Sequence, residues 1–247
     1  MTGVSVCMAT YNGERYLREQ LDSILAELEP TDEVVIVDDA SSDGTVALLQ
    51  TYDDPRVRVF ARDVNRGYVR SFEEALTRAT GDVLMLSDQD DIWIPGRRAL
   101  LVAALQERAV AASNLVLLST GAPLRSPLTR RDWLLRTGGG AQRCRNQLKL
   151  LLGDAPYFGC AMAIRRDFLP VAVPFPDGLA ESHDLWLATV ANAAGELVHV
   201  EQPTLRRRVH GENASSDRPR GILPALRSRL LLVRLWREAK RRVRAQA

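Results

Sequence analysis

Four short runs rich in β-branched and apolar residues, VSVCMA (4–9), EVVIVD (33–38), RVRVFA (56–61) and DVLMLS (82–87), punctuate the N-terminal part of the chain. The stretches between them carry a helical period. Leu17, Leu21, Ile24, Leu25 and Leu28 fall on one face, as do Phe72, Ala75, Leu76 and Ala79. Strand, helix, strand in repetition predicts a parallel sheet covered by helices on both faces, an α/β, Rossmann-like half. Such sheets bind ligands beyond the carboxyl ends of their strands. A polar loop follows each of the four runs: TYNGE (10–14), DDASSDG (38–44), NRG (65–67) and SDQDD (87–91). Four loops on one rim make a single site.

The rest of the chain is less regular. STGAPLRSP (119–127) reads as a loop and RTGGGAQ (136–142) as a mobile connection before an apolar helix at Leu148–Leu152. YFGCAMAIRRDFL (157–169) reads as a strand entering a helix, Asp184–Ala194 as a helix, and ELVHV (196–200) and LRRRV (205–209) as two short strands. With 247 residues, 46% hydrophobic and 26% charged, the chain suits one large domain or two fused subdomains and excludes wholesale disorder. No apolar run approaches the ~18 residues of a membrane span, and no signal-like segment opens the chain. A cytoplasmic protein is therefore expected. Cys7, Cys144 and Cys160 form no CxxC and suit reduced thiols.

The end of the fourth run carries the strongest chemical signal. Asp88, Asp90 and Asp91 stand within four positions, and residues two apart share a strand face. Two close carboxylates repel unless a cation or a proton lies between them. Oxygen ligands of this kind suit Mg²⁺ or Mn²⁺, with substrate phosphates completing the shell. The alternative is a solvated turn in which Asp90 or Asp91 caps a helix beginning near Pro95.

Taken together and in order, VSVCMATYNGERYLREQLDSIL, VVIVDDASSDGT, NRG, LMLSDQDDIWIPGR, HDLWLA and RRVHGENAS resemble the inverting family 2 glycosyltransferases of GT-A fold, in particular their rhamnosyltransferase-like branch. The resemblance runs over about residues 4–216. It implies a nucleotide-sugar donor carried on dTDP or UDP, a divalent metal, and transfer of one sugar, rhamnose or a relative, with inversion. The acceptor would be a glycan or lipid-linked glycan of the cell surface. Residues 1–111 would be the nucleotide-sugar-binding half, and 112–216 the acceptor-binding and catalytic-base half of the same domain.

The same resemblance assigns Thr10, Tyr11 and Glu14 to the nucleoside pocket and Asp39 to the pyrimidine, with Asp38 structural. Arg66 and Gly67 join the donor site. Asp88 belongs near the ribose and metal, Asp90 is the direct metal ligand, and His210 closes over the metal or diphosphate, helped by Arg208 or Asn213. Asp91 would cap the following helix, and Ser41 or Ser42 the helix after DDASSDG. Gly159 and Cys160 would line the pocket, with Cys160 no nucleophile. Asp184 matches the catalytic base, with Glu181 the weaker candidate because relatives often carry an acid where this chain has His183. A non-catalytic sugar-nucleotide-binding subunit and a nucleotidyltransferase are the alternatives, although no Gly-rich, Lys-bearing phosphate loop follows the first strand.

The charge is uneven. From Arg218 to Ala247 nine Arg and one Lys face a single Glu, a local +9 that leaves the remainder at −7, since the whole chain is +2. Leu226, Leu230, Leu231, Val233, Leu235 and Trp236 interleave with the arginines, so residues 217–247 form a basic amphipathic tail. Either residues 222–247 lie on an anionic membrane surface at the inner face of the cell membrane, or the apolar side packs on the domain. No nucleic-acid module accompanies the charge, so nucleic acid is not the expected partner.

Overall fold

The computed structural model describes residues 3–179, 181–211 and 222–246, of which 222–227 by backbone alone. Its first part alternates strand and helix as the periodicity requires: β1 (Val4–Thr10), α1 (Glu14–Leu25), β2 (Glu33–Asp38), α2 (Thr45–Gln50), β3 (Val57–Ala61), α3 (Tyr68–Arg78) and β4 (Val83–Ser87). These four strands pair in parallel in the order β3-β2-β1-β4. Alternate residues face opposite layers. Val4, Val6, Met8, Val34 and Ile36 meet Leu17, Leu21 and Ile24 of α1. Cys7, Val35, Val37, Leu84 and Leu86 meet Phe72, Ala75 and Leu76 of α3. Burial on both sides explains why these strands read as continuous apolar runs.

The same sheet continues through the rest of the chain: β5 (Ile92–Trp93), α4 (Arg97–Ala104), β6 (Val110–Leu117), α5 (Arg143–Leu152), β7 (Met162–Arg165), α6 (Leu169–Ala172), α7 (His183–Ala194), β8 (Leu197–Arg207) and α8 (Ile222–Ala245). The full order is β3-β2-β1-β4-β7-β6-β8-β5, with β7 antiparallel to both β4 and β6. One eight-stranded α/β sheet thus joins both parts of the chain, the Rossmann-like GT-A architecture expected. Arg97 ties the two together. Fully buried, it donates to Thr204 Oγ1 at 2.7 Å, to the Cys160 carbonyl at 2.6 Å and to the Leu86 carbonyl at 3.2 Å, beneath the Trp93 ring. Burial brings its pKa down to about 10, so it stays charged at neutral pH.

Several local expectations change. The runs at 196–200 and 205–209 are one strand, β8, because β6 pairs with it along its length across two irregularities. Residues 136–142 are no mobile connection: 139–141 form a 3-10 turn, and Asn146 donates to the carbonyls of Gly139 and Gly140. Gly140 packs so closely that an added Cβ would meet the Leu197 carbonyl oxygen at 2.3 Å. Helix α5 begins five residues ahead of Leu148. Asp91 caps no helix, since α4 starts after Gly96 with no side-chain cap. Ser41 and Ser42 cap none either. Helix α2 follows Gly44, and Asp43 takes the Thr45 N–H at 3.0 Å.

In the described part of the tail, Leu232, Leu235 and Ala239 are buried against the core that contains Trp186 and Leu187 of α7. Arg242 lies over the Trp186 ring, donates to the Pro174 carbonyl at 2.7 Å and pairs with Glu238. The apolar side therefore packs on the domain, with Arg234, Arg237, Lys240, Arg241 and Arg244 left exposed outside.

Glu33 fastens the opposite end of the sheet. Its carboxylate accepts from Ser5 Oγ at 2.7 Å and from the Thr80 N–H and hydroxyl at 2.6 and 2.8 Å, and pairs with Arg58. Burial alone would raise this carboxyl, but the four donors outweigh it and hold the pKa at about 2. A depressed carboxylate contributes stability that is present above its unfolded pKa and lost as pH falls through the folded one. Glu33→Gln should cost about 1–3 kcal/mol in denaturant melts at pH 7. The gap from wild type should narrow as pH drops from about 4.5 toward about 2.

Candidate functional site

The rim loops surround one cavity of about 620 Å³ at the carboxyl ends of the parallel strands. At one end, parallel register sets Thr10 opposite Asp38. The Thr10 hydroxyl donates to Asp38 at 2.8 Å, and Asp38 also accepts the Ser41 N–H and hydroxyl. Fully buried, Asp38 fastens loops together. Asp39 faces the cavity, with one oxygen accepting the Arg66 N–H at 2.9 Å and Arg62 at 3.0 Å, the other the Gly67 N–H at 2.7 Å. These donors keep it in place as an acceptor at the wall. Tyr11 is half-exposed above it. Gln89 clamps the Tyr11 backbone in both directions, accepting its N–H at 2.8 Å and donating to its carbonyl at 3.0 Å.

Thr10, Tyr11, Asp39, Gly67, Asp88, Asp90, Gly159, Cys160, Asp184 and His210 all reach the cavity wall. Glu14 and Arg66 do not line it. The Glu14 carboxylate turns away to accept the Gly44 N–H at 2.9 Å, and Arg66 contributes its backbone N–H to Asp39.

The acidic end is crowded. Strand β4 stops at Ser87, whose hydroxyl takes Gln20 Nε2 at 2.6 Å, and Asp88 and Asp91 then converge on Cys160 while Asp90, expected to share a face with Asp88, turns to His210. Ligand atoms of Asp88, Asp91 and Cys160 lie within 4.8 Å of one another. Asp90 pairs with His210 Nε2 at 2.7 Å, and that imidazole rests 4.7 Å from the Tyr16 ring. Asp91 accepts the Arg208 N–H at 3.1 Å through one oxygen, while its other oxygen is buried without a hydrogen-bond partner among the described residues. Arg208 reaches the Asp90 carbonyl and Glu19. Asn213 lies outside the described residues.

Burial, then the charges of Asp91 and Asp90, pushes the Asp88 carboxyl well up; burial and Asp90 do the same to Asp91. Repelling carboxylates and one orphaned oxygen fit a divalent cation, the species that would relieve both.

Across the cavity, Asp184 is the second residue of α7. The helix follows Ser182, which makes no side-chain cap, so Asp184 is not the N-cap; it accepts the Leu185 N–H at 2.8 Å. Burial raises its pKa to about 6, although the Leu185 N–H and the charge of Arg207 oppose the rise. His183 is wedged against Phe72, ring centroids 4.3 Å apart, with both nitrogens buried and unpartnered among the described residues. Burial keeps it neutral, with a pKa down at about 3. Glu181 is exposed and off the wall. The Cys160 thiol is pushed well up by burial and then by Asp88 and Asp91, so it carries no thiolate chemistry at neutral pH.

Sequence reasoning missed Gln89, Tyr68, Phe72, Phe158 and Arg207, all on the wall. Gln89 sits inside SDQDD, but its clamp on Tyr11 spans 78 positions, a pairing that no local pattern carries. Arg207 is masked by its neighbours in the RRR run, whose side chains only the strand's alternation sorts.

The model of the glycosyl transferase family 2 matches residues 5–169, and the chain belongs to that family. ExoO of Rhizobium meliloti (strain 1021), a succinoglycan biosynthesis protein, is 38% identical over 109 residues, covering 44% of this chain and 30% of ExoO. WfgD of Escherichia coli, named UDP-Glc:alpha-D-GlcNAc-diphosphoundecaprenol beta-1,3-glucosyltransferase, is 26% identical over 108 residues, covering 44% of this chain and 43% of WfgD. The matched stretch thus spans less than half the length of either relative. The structure of S. aureus TarS residues 1–349 in complex with UDP-GlcNAc shares the fold: TM-score 0.72, 18% identity, 95% of this chain and 66% of that one.

A Cβ on Gly159 would stand 2.4 Å from His183 Nε2, and the stacked ring has no room to retreat. Gly159→Ala should therefore cost about 1–3 kcal/mol in chemical denaturation, the usual range for overpacking. The double variant Gly159→Ala/His183→Ala should depart from additivity, with a smaller penalty at position 159 once the ring is gone. An equal penalty in both backgrounds would remove His183 as the cause.

Proposed function

We propose that the protein is a metal-dependent inverting glycosyltransferase that moves one sugar, rhamnose or a related sugar, from a dTDP- or UDP-linked donor to a hydroxyl of a cell-surface glycan or lipid-linked glycan. The observation that carries this reading is the placement of Asp184 on the same cavity as Asp39, Asp88 and Asp90. A donor's base, diphosphate and sugar would span that distance in order. The names of ExoO and WfgD support a polysaccharide or lipid-linked product.

Each residue then has a chemical task. Asp39 accepts from the pyrimidine N–H, with Tyr11 over the base. Asp88 and Asp90, with His210, would hold Mg²⁺ or Mn²⁺, which when bound offsets the charge of the diphosphate. Asp184 accepts the proton of the acceptor hydroxyl as its oxygen attacks the anomeric carbon. The bond to the β-phosphate oxygen breaks on the opposite face, its electron pair leaving with the nucleoside diphosphate. No covalent enzyme intermediate arises. A pKa of about 6 leaves Asp184 ionised yet still basic at neutral pH.

Nucleotide sugars screened for metal-dependent release of nucleoside diphosphate test the reading. Asp90→Ala should abolish transfer and metal-dependent nucleotide binding. Asp184→Asn should cut kcat by at least ~100-fold, in line with the size of general-base effects, and leave nucleotide binding intact. Equal loss of nucleotide binding in both variants would overturn this division of roles. Because the base works deprotonated, kcat/KM should climb as pH rises through about 6 and then level off.

The tail belongs to the same proposal. Helix α8 keeps its apolar side on the domain and turns Arg234, Arg237, Lys240, Arg241 and Arg244 outward beside exposed Leu230. No helix among the described residues is long and apolar enough to cross a membrane. This face suits an anionic lipid surface at the cytoplasmic side, where a lipid-linked acceptor would reside. Replacing Arg234, Arg237, Lys240 and Arg244 with Gln should abolish co-sedimentation with vesicles containing anionic lipid. Unchanged binding would exclude this face.

A further inference from the structure

Arg207 is a charged group on the cavity wall that the roles above leave unused. It ends β8, and its guanidinium lies over the Phe158 ring, 5.2 Å from the centroid. Among the described residues it makes no side-chain hydrogen bond and no ion pair, although its charge acts on Cys160, Asp88, Asp91 and Asp90, and also on Asp184. Arg207 is half-buried, and a guanidinium withdrawn from water to that degree is usually paired. Arg15, the other arginine of the wall, is exposed and stacked on Tyr16 at 5.0 Å. The more secluded cation thus stands where the acidic loop and the base-bearing helix α7 both feel it.

The location limits what Arg207 can meet. A nucleotide-sugar seated with its base at Asp39 and its anomeric carbon near Asp184 must lay its diphosphate between the acidic loop and α7. Arg207 lies in that interval. Its planar fork matches two phosphate oxygens at once, which a lysine cannot reproduce. Phe158 holds the guanidinium plane from one side and leaves its N–H edge free to donate.

We propose that Arg207 is a diphosphate-binding residue, donating to the β-phosphate of the donor and stabilising the charge that this phosphate gains as the bond to the anomeric carbon breaks. The assignment rests on the functional reading above and adds a ligand contact to it. When the carbon–oxygen bond cleaves, the electron pair settles on the β-phosphate oxygen. A fixed guanidinium there lowers the barrier with no proton of its own transferred. It also offsets the four carboxylates around the cavity, which would otherwise repel a diphosphate.

Calorimetric titration of the full chain, in the presence of Mn²⁺, tests this with UDP against UMP, and dTDP against dTMP. The pair that the wild type binds is the one compared. Arg207→Met should weaken the diphosphate about 10- to 100-fold, the loss expected for charge-assisted hydrogen bonds, and change the monophosphate less than about 3-fold. Arg207→Lys should fall between, keeping the charge but losing the fork. Thermal melts of both variants should match wild type, because no hydrogen bond of the fold is removed. Equal weakening of the two nucleotides, or none of either, would overturn the assignment while leaving the glycosyltransferase reading intact. A wild type that binds neither pair would overturn that reading, and the assignment with it.

Discussion

The parallel register of β1, β2 and β4 is the constraint on which the site depends. Pairing Thr10 with Asp38 ends β1 and β2 level, and pairing Met8 with Ser87 ends β4 two residues earlier, so the residues that follow all emerge at the same edge of the sheet. Slipping a strand by one position would turn its apolar set out of the core, which fixes the register against thermal error. The buried Asp38 and the Ser87 hydroxyl then secure the first turns of the loops. Everything that faces the cavity is built outward from these anchored ends.

Electrostatics supplies the second layer. Burial, then the charges of Asp91 and Asp90, opposes ionisation of Asp88, and burial with the charge of Asp90 opposes that of Asp91. Arg97 is the scaffold's cation. It is locked by two carbonyls and the Thr204 hydroxyl, so its charge sits under the acidic loop with both terminal nitrogens already engaged by the fold. Arg207 carries the same charge without such anchors. The contrast separates a structural arginine from one positioned for a ligand. Asp184 gains its raised pKa in the same way, by burial at the start of a helix whose sides are almost wholly enclosed between the sheet and α8.

Local patterning carried much of this architecture. Short β-rich runs gave β1 to β4, helical spacing gave α1 and α3, and the helix expected at Asp184–Ala194 matches α7 to within a residue. Turn chemistry was less legible. Ser41, Ser42 and Asp91 have the composition of helix caps, yet each side-chain oxygen engages a partner distant in sequence or outside the helix: Asn12, Asp38 and Arg208. Glu14 likewise turns from the cavity because its carboxylate accepts the Gly44 N–H. The Gly-rich run at 138–140 looked mobile in sequence and is packed because only glycine allows the approach of β8.

By itself the sequence determined the parallel α/β core, the rim of four loops and the acidic cluster, since all three follow from periodicity and composition within short windows. Tertiary structure alone decided which of the three adjacent arginines reaches the cavity, that Asp184 faces the acidic loop across it, and that the tail's apolar side is spent on the domain. Those outcomes rest on contacts between residues tens to hundreds of positions apart. No local propensity encodes them, because their free energy exists only once the sheet has brought the partners together.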